Sequence, residues 1–393
     1  PFFNPALLAA TPDDDNFAIE APMGGARFYD PDDFIESVDE FQDNPAIFTA
    51  NDNFVLEDSI NAANPFDPAS YRRVATDIDN LSDGLTTVDS KNIQGEAGIA
   101  VVAGIPGRTF GGALSISGWG AFGGVVNYED RDTLAKVSED LRTYADCVDN
   151  PAACDPSAIN WVVTDPGDPR GNVGDVLFDP YADLDSSVDI RGILLSEVAF
   201  AMAREFHTGG GALALGITPK YVEATTYDYR ADVNNADESD FNAEEHAKEH
   251  QNFNVDLGVA KNYANGWRTG VVVKNLIAQE YETVRGNMVK LNTQARAGVS
   301  YQNDWSTIAL DVDLTENEPV DFEEKSRHIS LGAELNALEW AQVRFGYRAD
   351  AVNSDRNVTS VGLGLSPFGV HFDVAMAKSA NETGASAQFG FRF

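Results

Sequence analysis

Positive charge is scarce in this chain: 27 lysines and arginines stand against 63 aspartates and glutamates, a net charge of −36 over 393 residues. A surface of that sign repels a phosphate backbone, which excludes nucleic acid as a partner. Long apolar runs are missing too. Nothing approaches the ~20 consecutive apolar residues of a membrane helix, so helical spanning is removed while strands remain free to cross. No charged and apolar leader stands at Pro1, and an export signal is expected to have been removed or never to have existed. Cysteine is confined to Cys147 and Cys154, close together in a short segment without a nearby histidine. A local disulfide is the expected use, implying an oxidising, extracytoplasmic compartment; two unrelated buried thiols are the alternative.

What is present is alternation. The chain ends Phe389-Gly390-Phe391-Arg392-Phe393; side chains alternate across a strand, so the three Phe share one face and the polar residues the other. Similar segments recur upstream. In 368–378, Phe368, Val370, Phe372, Val374 and Met376 oppose His371 and Asp373. In 339–350, Val343, Phe345 and Tyr347 oppose Arg344 and Arg348. Further candidates are 16–29, 95–105, 109–122, 189–205, 211–227, 252–261, 267–277, 290–302, 305–315, 326–336, 357–366 and 385–393. Most are near the roughly 9–11 residues of a tilted membrane strand, and together they make about fourteen, an even number as bacterial barrels require. Connections alternate in length as well. Short links such as Asn265-Gly266, a two-residue hairpin signal, sort to one rim. Longer acidic loops, roughly 30–94, 128–188, 228–250 and 282–289 among them, sort to the other, as in outer-membrane barrels. The predicted fold is all-β: a closed antiparallel transmembrane β-barrel of about fourteen strands, with residues 1–15 as a luminal plug and 16–393 as the barrel.

The two longest loops carry helical spacing. Phe34, Ile35, Val38 and Phe41 form one stripe, Tyr71, Val74, Ile78 and Leu81 a second, and Leu134, Val137, Leu141 and Tyr144 a third. Asp67-Pro68 reads as an N-cap followed by proline at the first helical position. These stripes pack on one another as a cap, or they line a greasy entrance.

Ahead of the first strand, Pro1-Phe2-Phe3-Asn4-Pro5-Ala6-Leu7-Leu8 is too apolar to dangle in water. Its Asn4-Pro5-Ala6-Leu7 run resembles the Asn-Pro-Ala motif in the N-terminal hatch of the FadL family of outer-membrane transporters for hydrophobic compounds. The early segment and the 95–122 hairpin resemble a branch of that superfamily often labelled conjugal-transfer TraF-like. The FadL hatch has a longer extension before this motif than the present chain. The resemblance implies passive uptake of long-chain hydrophobic compounds, fatty acids or alkanes, in the outer membrane of a Gram-negative bacterium. It implies that Phe2, Phe3, Asn4, Pro5, Ala6 and Leu7, the loop residues Phe34, Val38, Phe41, Leu134 and Leu141, and Trp119 contact substrate. Exit would follow a hatch shift or a lateral gap, for which Pro22, Gly24 and Gly25 in the first strand and Gly118 and Gly120 in the third are candidates, since such residues loosen a ladder; a plain bulge is the alternative. A structural component of a conjugative transfer system is the second functional reading.

Other constellations weigh less. His246-Ala-Lys-Glu249-His250 matches an inverted zinc-protease spacing, but without a third ligand it reads as a solvated helical face, and no enzyme is expected. Asp13, Asp14 and Asp15, and Asp32-Asp33, offer oxygen ligands without a complete calcium-loop spacing, so no cofactor is expected beyond a surface divalent cation such as calcium. The inward charges Arg296, Asp311, Asp313, Glu334, Arg344, Arg348, Asp373 and Arg392 read as ion-pair ladders anchoring the plug, or as an arginine for a substrate carboxylate. Expected partners are hydrophobic small molecules and outer-membrane lipid with its lipopolysaccharide. A monomer is expected, with room for a periplasmic or inner-membrane partner protein.

Overall fold

A computed structural model describes residues 4–9, 17–51, 53–107, 109–208, 211–232, 243–318, 322, 324–338 and 340–392. Phe2, Phe3, Phe393 and the Asp13 to Asp15 run lie outside the described residues. After an N-terminal 3-10 turn, Pro5–Ala9, come β1 (Ala18–Tyr29), α1 (Phe34–Gln42), α2 (Val55–Asn61), α3 (Pro68–Val88), β2 (Asn92–Ile105), β3 (Gly111–Asn127) and α4 (Arg131–Asp149). Then follow β4 (Ser187–Thr208), β5 (Gly211–Asp232), β6 (Ala247–Asn262), β7 (Trp267–Lys274), β8 (Gln279–Glu282), β9 (Met288–Leu291), β10 (Gln294–Gln302) and β11 (Ser306–Asp313). The chain finishes with β12 (His328–Leu338), β13 (Ala341–Asp350), β14 (Val358–Leu365), β15 (Val370–Lys378) and β16 (Glu382–Arg392).

Fourteen of these strands close one antiparallel barrel, with β1 pairing β16 at the seam and β7 pairing β10; β8 and β9 pair only with each other. All fourteen wall strands coincide with alternating segments of the sequence. Leu, Val and Phe, such as Phe200, Leu215, Val259 and Val271, stand exposed on the outer face. Inward charges pair along the wall: Arg296 with Asp313 at 2.6 Å, Arg344 with Glu334 at 2.8 Å and with Asp373, and Arg348 with Glu382 at 2.6 Å. Around the rim of short turns, Trp267, Trp305, Trp340 and Phe368 are exposed, as in the aromatic girdles of membrane barrels.

Four expectations are corrected. Residues 246–250 do not form a helical face: β6 starts at Ala247, and the His246 ring packs tilted against Tyr229 with centroids 4.7 Å apart. Beyond the apolar belt β4, β5 and β6 continue with polar and aromatic residues, so apolar alternation ends before the strands do. Residues 282–289 are not an outer acidic loop but the middle of the β8–β9 hairpin, which folds into the lumen. Phe368 belongs to a turn at φ 56°, not to the strand face. The inward ion pairs join wall to wall; the plug is held by other means, described below.

The two long insertions share a core. Tyr71, Val74, Ile78, Leu81, Leu134, Val137 and Leu141 are buried together, with Ile47, Phe54 and Phe178 from the connecting segments. Tyr71 and Tyr144 rings lie 4.6 Å apart, and Arg72 bridges to Asp146 at 2.8 Å and Asp149 at 2.6 Å. Asp67 caps α3, accepting from the Ala69 amide at 3.1 Å. The helical stripes therefore pack on each other as a cap, seated over the rim where β1, β2, β3 and β4 end. Residues 30–94 and 128–188 carry 29 acidic against 7 basic residues, more than half of the chain's net charge of −36. Cys147 and Cys154 are joined by a disulfide at the end of α4.

Candidate functional site: the plugged lumen

Three layers succeed one another inside the barrel. The first, nearest the short turns, is the plug. Asn4 Nδ2 donates to the Val259 and Val271 carbonyls, each at 3.2 Å, and Asn4 Oδ1 accepts from the Ala6 amide at 3.0 Å. The motif works because a short amide side chain can cap its own turn while its other end reaches the wall, and proline then starts the turn without an unsatisfied N–H. Ala6 and Ala9 pack on Ala203, Ala214 and Ala260. A Cβ at Gly216 would strike the Pro5–Ala6 backbone, and one at Gly258 would strike the Asn4 side chain. Small residues on β4, β5 and β6 thus make the seat.

The second layer is polar. Lys220 is buried between Glu197 at 3.1 Å and Asp256 at 3.3 Å, and donates to Asn275 Oδ1 at 2.7 Å. Beside it a cavity of about 540 Å³ opens against the plug, lined by Asn4, Leu7, Arg268, Lys274, Arg296 and Asp311 among others. Arg296 is matched by Asp313. Arg268 donates to Asn262 Oδ1 at 2.7 Å, and neither it nor Lys274 has a carboxylate partner within ion-pair distance among the described residues. Arg268 and Lys274 thus offer N–H donors to this cavity, with the Asp311 carboxylate, on the same lining, set against them.

The third layer is apolar. Tyr281 and Val289 of the luminal hairpin are buried against Ile193, Leu195, Val222 and Ala224, with Trp119 and Leu291 beside them. Sequence reading missed this hairpin because its strands, four residues each, are shorter than a membrane strand; the only signal was the Asn-Met-Val-Lys-Leu run after Arg285-Gly286.

The expected substrate residues separate. Asn4, Pro5, Ala6 and Leu7 are in the plug, and Asn4 and Leu7 face the cavity. Trp119 points into the apolar layer. Leu134 and Leu141 are sealed in the cap core at 0% exposure; Phe41 packs against that core, while Phe34 and Val38 are half-buried on α1. The two lateral-gap candidates also differ. Pairing of β3 with β2 and β4 runs unbroken past Gly118 and Gly120, which face outward. At Ala21-Pro22 the register of β1 shifts against both β2 and β16, whereas Gly24 and Gly25 lie in regular pairing beyond the bulge. Beside it Gln388 donates to Glu20 at 2.7 Å, and His371 also bonds Glu20.

Fold and lumen define a plugged fourteen-stranded barrel under an acidic helical cap. The chain belongs to the family described as F plasmid transfer operon, TraF, protein, whose profile matches residues 1–313. Among solved structures, the Ralstonia pickettii toluene transporter TbuX aligns over 100% of this chain and 92% of its own at 9% identity, with a TM-score of 0.49. The P. putida toluene transporter TodX aligns over 100% and 93% at 8% identity, with a TM-score of 0.44. No curated protein matches the chain.

Proposed function

We propose that this barrel carries long-chain hydrophobic compounds, fatty acids in first place and alkanes in second, passively across the outer membrane of a Gram-negative bacterium. The observation that carries the reading is the order of layers in the lumen: an apolar surface at Trp119, Leu195 and Val222, then a cavity with Arg268 and Lys274, then the plug. Once the luminal hairpin lifts from the apolar layer, a solute with an apolar tail and an anionic head finds a surface for each in that order. The cations favour the acid over the alkane, since an ionised carboxylate and a guanidinium or ammonium form hydrogen bonds roughly twice as strong as neutral ones. Onward passage requires the plug turn to leave its seat, or the cargo to slip outward at the Ala21-Pro22 bulge, where β1 loses regular pairing on both sides.

Uptake of labelled oleate and hexadecane by cells with and without the chain tests this. Chain-dependent entry of oleate is the expected result. Unchanged uptake together with lost conjugative DNA transfer would instead favour the assembly role that the family's description suggests.

A further inference from the structure

The luminal hairpin is the outer half of the β7–β10 hairpin bent inward. Wall pairing ends at Lys274 opposite Gln294, and the two chains pair again, off the wall, from Gln279 opposite Leu291, with Asn275 at φ 52° in the bend. The bend removes a neighbour from β6, which pairs with β7 only over Leu257–Asn262 although it begins at Ala247. Asn254 replaces the missing strand: its Oδ1 accepts from the Ile277 amide at 3.1 Å and its Nδ2 donates to the Ile277 carbonyl at 2.8 Å. Inside, the tip is latched to the wall. Thr283 Oγ1 and Asn287 Nδ2 donate to Asp228 at 2.6 and 2.7 Å, and Arg285 Nη1 donates to Asp189 at 2.8 Å.

We infer that this hairpin is a second gate, separate from the N-terminal plug, that closes the lumen when docked and opens by swinging into the wall to extend β7 along the uncovered edge of β6. The edge supplies ladder partners for the straightened strand, and the docking face it vacates, Ile193, Leu195 and Val222, becomes the apolar surface on which cargo lands. A ligand that binds that face only in the open state shifts the balance by its differential affinity. The latch is polar: its Thr283–Asp228 bond is buried, the Arg285–Asp189 pair beside it is partly exposed, and Lys248 and His250 of β6 add bonds to Glu282 at 2.6 and 2.9 Å that opening must also break.

The test uses the full-length protein in planar bilayers and in cells. Thr283→Cys with Asp228→Cys places two thiols where the latch now bonds. Oxidation is expected to lower potassium conductance and oleate uptake at least tenfold, and mild reduction to restore both, with wild type treated identically as the control for Cys147–Cys154. Arg285→Ala with Asn287→Ala is expected to raise conductance severalfold in a barrel that still shows heat-modifiable migration. Equal conductance of the oxidised and reduced lock, or an unchanged latch variant, overturns the gate. The inference does not depend on the cargo: a lock that shuts potassium conductance in a protein taking up no oleate at all upholds the gate and removes the fatty-acid reading.

Discussion

Asn4 and Val259 tie the plug to the wall, the side-chain amide donating at 3.2 Å to a carbonyl that already belongs to the barrel ladder. The same nitrogen reaches Val271, the residue paired with Val259 across β6 and β7. Asn4→Ala removes both bonds, each worth about 1 kcal/mol net, so the unseated fraction of plug is expected to rise on the order of tenfold or more. Single-channel recording reads this as more frequent opening. Gly258→Val is expected to do the same by collision with the Asn4 side chain, and an unaltered opening frequency in both variants would deny the plug its role.

The cations of the cavity separate acid from alkane. Replacing Arg268 with Gln and Lys274 with Met is expected to raise the KM for oleate by roughly 10- to 100-fold, the range for losing hydrogen bonds to a charged group worth about 1.5–3 kcal/mol. Hexadecane uptake is expected to stay unchanged. Equal loss of both substrates would mean that the two side chains hold the barrel together rather than its cargo.

The cap is a folded unit with its own core, and Leu141 is fully buried in it. Leu141→Ala is expected to destabilise the cap by about 2–5 kcal/mol, the usual range for a large-to-small core change. Limited proteolysis should then cut residues 30–91 and 128–186 while the barrel keeps its heat-modifiable migration.

Alkali acts on the same core. Burial, with Tyr144 beside it, pushes the Tyr71 phenol well above its ordinary range, and burial raises Tyr144 too. Because the folded value exceeds the unfolded one, the associated stability is complete below about pH 10 and is lost as pH climbs from there toward the folded value. The part of the phenolate absorbance that Tyr71→Phe removes is expected to appear together with loss of helical circular dichroism, and Tyr71→Phe to move that loss upward in pH at a cost near 1 kcal/mol for the bond to Gly174. Loss of helix at the same pH in Tyr71→Phe as in wild type would contradict it.

The barrel was legible because a membrane wall imposes one rule on every strand, apolar outward and inward-facing polar, and segments such as 339–350 obey it residue by residue. The rule stops at the membrane's edge. That is why the outer half of β6 escaped detection around His246 and His250, and why β8 and β9, paired inside a lumen, left no alternation of membrane length. The cap helices were visible as stripes, but a stripe names a buried face without naming its partner, and Leu134 and Leu141 found each other's neighbours rather than a solute. Plug contacts were least legible of all. Asn4-Pro5-Ala6-Leu7 carried a resemblance, whereas Gly216 and Gly258, which shape its seat, are unremarkable glycines in strands until the fold brings them to it.

The central claim is that a hydrophobic molecule crosses this barrel, and the most direct measurement is the initial rate of labelled oleate entry into intact cells. Three strains are needed: wild type, the Arg268→Gln with Lys274→Met variant, and one lacking the chain. A rate that is high in the first, reduced at least tenfold in the second at low oleate and at background in the third is the predicted result. The same rate in all three would contradict the account.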